Sequence, residues 1–245
     1  MIFLRSALYQ ILFLPWTLFI GIVTLPLLAA APRRTLQHVA RLWLEGALWM
    51  QKTVLGLSFE VRGIENLPRG GAIIAAKHQS AWETMVFHRL VGDPAFVLKK
   101  ELLRLPVIGW YMHRTEQIPI DRAARGAALK HMLDRSRRAL GQGRALVIFP
   151  EGTRQPPGKT GRYHSGIFKL YEALDVPVAP IALNSGVFWA RNAFLRHPGR
   201  ITLEVLPAIP PGLGREAFMT RLQDEIETAT RALEQAAGFV DKSVG

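Results

Sequence analysis

The chain contains no cysteine. Disulfides, thiolate nucleophiles and zinc–thiolate centres are thereby excluded, and a reducing compartment is allowed. There is no Gly-x-Ser-x-Gly, which argues against a serine-hydrolase elbow. Its seven histidines are scattered without His-Glu-x-x-His or a similar ligand spacing, so no metal is indicated. A further absence is local: from Ser6 to Pro32 no residue is charged. Acidic residues are outnumbered, 19 against 31 Lys and Arg, and the net charge of +12 points to an anionic partner.

The uncharged run is dense in Leu, Ile, Phe and Trp. About 27 residues at ~1.5 Å each suffice to cross a hydrocarbon core of ~30 Å. Pro15 and Pro26 predict a kink or break in this helix. A secretory signal, with Arg5 as its basic start and Ala29 to Ala31 as its small-residue site, is the alternative reading. The run is long for a signal, and Arg33 and Arg34 suit an anchor held at a cytoplasmic face by anionic lipid. Leu36, Val39, Ala40, Trp43, Ala47, Met50 and Val54 then recur at helical spacing. Residues 1–57 are therefore expected to form an apolar two-helix membrane anchor, and residues 58–245 an α/β domain.

In that domain, apolar runs read as strands at 59–62, 71–76, 95–98, 117–120, 144–149, 176–183 and 201–206. Helices are expected from Trp82 and at 107–113, 124–140, 166–174 and 215–236. Strands alternating with helices predict an α/β fold with a mainly parallel mixed sheet flanked by helices.

His78 and Glu83 follow the buried run Gly71 to Ala76, at a strand-to-helix turn. On one continuous helix they would stand ~140° apart. They meet only if His78 precedes the helix and Glu83 lies in its first turn, and Ser80-x-x-Glu83 has the capping-box spacing that provides this. The spacing alone leaves two readings open: a base with its carboxylate partner, or a capped helix beside a loop histidine. In a parallel sheet, His78, Arg122 and Arg154 emerge at one carboxyl edge, where open α/β sheets bind ligands, with Lys99 and Lys100 near. A base among cations suits an alcohol that also carries phosphate. Gly152 to Thr160 imitates a P-loop but is one residue too long, and Pro156 and Pro157 lack the N–H groups such a loop needs. The basic helix at 124–140 lacks the interleaved aromatics of a nucleic-acid binder, so lipid is the expected anion.

The ordered set His78-x4-Glu83, Ile118-Pro-Ile-Asp-Arg122, Phe149-Pro-Glu-Gly-Thr-Arg154 and Val176-Pro-Val-Ala-Pro-Ile181 resembles the 1-acyl-sn-glycerol-3-phosphate acyltransferase family over roughly residues 75 to 185. The resemblance implies that His78 deprotonates the sn-2 hydroxyl of lysophosphatidic acid, with Glu83 as its carboxylate partner. The oxygen would attack the thioester of acyl-CoA or acyl-carrier protein directly, giving phosphatidic acid with no cofactor. It further implies that Lys100, Arg122 and Arg154 hold the phosphate and that Glu151, Gly152 and Thr153 shape the glycerol site. Val176, Pro177 and Pro180 would border the acyl chain. The family usually has Asp where this chain has Glu83, and a small residue where it has Gln117. Another lysolipid acceptor, or a non-enzymatic lipid-binding protein, are the alternatives.

Overall fold

The computed structural model describes residues 1–121 and 125–240. Its centre is a seven-stranded sheet in the order β1-β7-β6-β2-β5-β3-β4. The strands are β1 (Leu57–Arg62), β2 (Ile73–Ala76), β3 (Ala95–Lys99), β4 (Ile118–Ile120), β5 (Leu146–Ile148), β6 (Val178–Leu183) and β7 (Gly199–Val205). Every pairing is parallel except β6 with β7, so the sheet is mixed but mainly parallel, as its buried apolar strands predict. Strands β2 and β6 are buried along their whole length because helices cover both faces.

The helices are α1 (Ile2–Val23), α2 (Leu27–Ala30), α3 (Arg33–Met50), α4 (Trp82–Leu90), α5 (Ile108–Arg114), α6 (Arg125–Gly141), α7 (Gly166–Leu174), α8 (Ser185–Phe188) and α9 (Arg215–Ala236). One face of the sheet packs on α7 and α9 through Ile167, Leu170, Phe218, Leu222 and Ile226. The other packs on α4 and on α3, whose Leu44, Leu48 and Met50 share a single core with Trp82, Phe87 and Ile181.

That shared core revises the two-helix anchor. Helix α3 has a buried inward face and joins the α/β body, whereas α1 is long and apolar enough to cross a membrane, with 17% of its most apolar window buried. The expected break at Pro26 occurs, the chain turning at Thr24–Pro26, whereas α1 runs through Pro15 without ending. Helices α1 and α3 are stitched by the indole N–H of Trp16 donating to Trp43 O (2.9 Å) and that of Trp43 donating to Thr17 Oγ1 (3.0 Å). Outward, α1 exposes Phe3, Leu4, Ile11, Leu14, Phe19 and Ile22. So large an apolar face marks a contact with lipid or protein.

Gly46 lets the two helices approach, since a Cβ there would lie 2.5 Å from the Trp16 ring. Gly46→Leu is expected to separate them and destabilise the fold by about 1–3 kcal/mol. Thermal unfolding in detergent checks this; an unchanged midpoint would show that α1 contributes little to the folded body.

Candidate active site

Strands β2 to β6 run parallel, so the turns that follow them leave at one edge of the sheet. His78 follows β2, and Phe149 to Arg154 follow the neighbouring β5. Ser185 follows β6 on the other side. The Nδ1 of His78 lies 2.9 Å from Glu83 Oε1. The longer side chain therefore makes the reach, and a carboxylate in this place accepts from an Nδ1 that carries a proton.

Glu83 is fully buried, yet both its oxygens are engaged. Oε1 also accepts from the backbone N–H groups of Gln79 and Ser80, each at 2.7 Å, and Oε2 from Ser185 Oγ at 2.8 Å. The bond to the Ser80 N–H is one half of the expected capping box. The other half is altered, because Ser80 Oγ accepts from Trp82 N–H (3.2 Å) and the helix begins a residue later than the box implies. One carboxylate thus closes the turn and orients the imidazole. The opposite wall is Phe149, whose ring stacks on His78 at 4.0 Å between centroids and 19° between planes.

Beneath the histidine lies a buried ionic cluster. Lys77, 1% exposed, donates through Nζ to Glu151 Oε1 (2.8 Å), to both oxygens of Glu227 on α9 (2.8 and 2.9 Å) and to Lys159 O (3.0 Å). Glu151 also accepts from the His78 N–H (3.2 Å) and the Gly161 N–H (2.9 Å). Burial pushes its carboxyl up, and the Lys77 ammonium opposes that shift. Gly152, at φ +63°, turns the chain back through a bond from its N–H to Phe149 O (2.9 Å). Glu151 is thereby sent inward, while Gly152, Thr153 and Arg154 face a cavity.

That cavity, about 1300 Å³, runs from His78 between the sheet edge and the α1–α3 pair. Its walls are mainly apolar, with Phe13, Ile20, Trp43, Met85, Val107 and Met112 contributing. Arg154, Lys169, Arg191 and Lys99 supply cations. Of the residues singled out from the sequence, His78, Gly152, Thr153 and Arg154 meet there. Glu83 stands directly behind His78. Lys100 pairs with Asp121 at the rim. Arg122 lies outside the described residues.

Two expectations are corrected. Glu151 does not line the cavity: it is buried under the site, held by Lys77 and two backbone N–H groups. Val176, Pro177 and Pro180 do not line it either. Pro180 pairs with Ala75 inside the sheet, and Val176 and Pro177 precede β6 at the opposite edge from His78. The cavity is walled instead by α1, α3, α4 and α5 together with the sheet edge. Sequence reasoning missed Ser185, Phe149, Lys77 and Glu227. The polar pair Asn184-Ser185 directly after a buried strand was a usable signal for the first, and a carboxylate on the apolar face of α9 for the last.

A carboxylate-oriented imidazole thus stands over a large, mainly apolar cavity that also carries cations. Residues 58–184 match the acyltransferase family model. The 1-acyl-sn-glycerol-3-phosphate acyltransferase of Pseudomonas aeruginosa is 37% identical over 177 residues, covering 72% of this chain and 69% of that one. The human alpha enzyme of the same name is 28% identical over 80% of this chain and 69% of its own. The crystal structure of the 1-acyl-sn-glycerophosphate acyltransferase PlsC from Thermotoga maritima shares the fold, with TM-score 0.76, 22% identity and coverage of 99% of this chain and 100% of that one. The chain belongs to the acyltransferase family, among the 1-acyl-sn-glycerol-3-phosphate acyltransferases. It is an O-acyltransferase.

Lys77→Met would leave Glu151 and Glu227 buried without their counter-ion, and is expected to destabilise the fold by about 3–5 kcal/mol. Unfolding in detergent and denaturant measures the loss. A second test uses His88, which lines the cavity and donates through Nδ1 to Gln37 Oε1 (3.1 Å). Burial, and after it Arg144, push its imidazole down to about 4. A histidine depressed on folding stabilises fully above its unfolded value of ~6.5 and loses that contribution as pH falls toward its folded value. His88→Asn should therefore flatten the decline in melting temperature between about pH 6.5 and 4 relative to the parent protein; parallel curves would refute the shift.

Proposed function

We propose that the protein transfers an acyl group from a thioester donor, acyl-CoA or acyl-carrier protein, to the sn-2 hydroxyl of 1-acyl-sn-glycerol-3-phosphate, giving phosphatidic acid. The observation that carries the reading is the 2.9 Å contact between His78 Nδ1 and Glu83, which leaves Nε2 as the base at the cavity wall. Nε2 takes the hydroxyl proton as the oxygen attacks the thioester carbonyl. Glu83 stabilises the imidazolium that forms, and the ring returns the proton to the departing thiolate. No acyl-enzyme is needed, since the acceptor oxygen itself is the nucleophile.

The cavity supports the acceptor assignment by its chemistry. Its apolar walls suit an acyl chain, and Arg154 beside Gly152 and Thr153 suits a phosphate. Arg122 and Lys100 complete the phosphate set in this reading. The exposed apolar face of α1 and the arginines at 33 and 34 support binding to a membrane, with the catalytic domain on the cytoplasmic side from which a soluble donor arrives.

His78→Ala is expected to lower kcat by roughly 10²–10⁴-fold, and an undiminished rate would sink the base assignment. Glu83→Gln should lower kcat in a folded protein, because an amide cannot stabilise imidazolium; a normal rate would reduce Glu83 to a helix cap. A panel of acceptors assayed with both donors tests the substrate. Arg154→Ala should raise KM for lysophosphatidic acid and leave a neutral lysolipid unaffected. Preference for a headgroup without phosphate would favour another lysolipid.

A further inference from the structure

Two carboxylates of α9 have no place in the chemistry described above, yet they converge on the histidine turn. Glu227 and Glu234 stand seven residues apart on the buried face of that helix, with Phe218, Leu222, Ile226 and Leu233. Glu227 is bonded to Lys77, the residue before His78. Glu234 Oε1 accepts from Gln79 Nε2 at 2.5 Å, the residue after it. The other end of the Gln79 side chain accepts from Gly186 N–H (3.0 Å), so the amide is held at both ends. Its backbone N–H is one of those that fix Glu83 Oε1.

A second layer completes the hold. The segment resembling a P-loop wraps this turn and is tied to the same carboxylates. Gln155 N–H donates to His78 O (2.7 Å), and Gly158 N–H to Glu234 Oε2 (3.0 Å). Thr160 Oγ1 donates to Glu227 Oε2 (2.8 Å), and Tyr163 OH to Glu227 Oε1 (3.0 Å). Gly158, and Gly161 just beyond the segment, present backbone N–H groups to the buried carboxylates of Glu234 and Glu151, where a P-loop would present them to phosphate.

We infer that Glu227 and Glu234 are positioning residues, which set the His78–Glu83 pair through Lys77 and Gln79. Stability alone does not call for two carboxylates on one ammonium and a third on the neighbouring Gln79, because buried ion pairs are commonly replaceable by apolar residues of similar volume. What the polar cluster adds is direction. Each bond ends on the backbone or side chain of residues 77 to 79 or on the segment that wraps them. Displacement of a reacting group by about 1 Å can lower a rate by about 10²-fold.

The inference rests on His78 being the base, and the test separates the two. Glu234→Ala, Gln79→Ala and the double variant are assayed beside His78→Ala. Each single variant should lower kcat by roughly 10–100-fold with KM for the acceptor changed less than about threefold. The double variant should be no slower than the worse single one, because both remove the same hold. Glu234→Gln, which retains an acceptor for Gln79, should recover part of the rate. If Glu234→Ala does not fold, Glu234→Gln decides: a kcat reduced at least about threefold at constant KM supports positioning, and full kcat overturns it. Normal kcat in folded Glu234→Ala, or additive losses in the double variant, also overturn it. If His78→Ala is active, the base reading itself has failed.

Discussion

One ammonium ion, buried where water cannot reach it, sets the terms for this molecule. Lys77 ends the central strand, and an unpaired charge there would be prohibitively costly to desolvate. Its partners must come to it: Glu151 from the turn after β5 and Glu227 from α9. Three parts of the chain far apart in sequence are thereby fixed around a single point beneath His78. The sheet supplies the coarse placement, since parallel strands deliver their following turns to one edge. The ionic cluster supplies the fine placement, because hydrogen bonds to a charged group are short and directional.

Above that point the environment changes character. Phe149 stacks on the imidazole, and the cavity beyond is walled by apolar side chains from α1, α3 and α5. The His78–Glu83 pair therefore sits at a boundary, with a polar network on one side and an apolar cavity on the other. Glu83 belongs to the first and His78 faces the second. Such a division keeps the carboxylate dry and oriented while the imidazole remains reachable.

The sheet was legible because its strands are short apolar runs bounded by Gly, Pro and polar turns. α7 and α9 follow their periodicity to the residue. The His78–Glu83 contact was legible from capping-box spacing, since the geometry that caps a helix also folds the carboxylate back toward the residues before it. Long-range partners were not. Nothing local to Lys77 reveals that Glu227, 150 residues away, will meet it. Val176 to Pro180 misled because a motif's order along the chain does not say at which end of its strand a residue lies. The anchor was over-divided for a related reason: α3 is amphipathic, and composition alone does not show that its apolar stripe completes the core of the α/β body.

The separation between Lys77 and its partner on α9 has a consequence for biosynthesis. At about 5–20 residues per second, a ribosome needs roughly 8–30 s to travel 150 residues. During that interval α1 has already been made and the histidine turn exists, but the carboxylates that brace it from α9 do not. In the proposed reading, a nascent chain reaches the membrane through α1 before its His78–Glu83 pair is held, anchored first and competent afterwards.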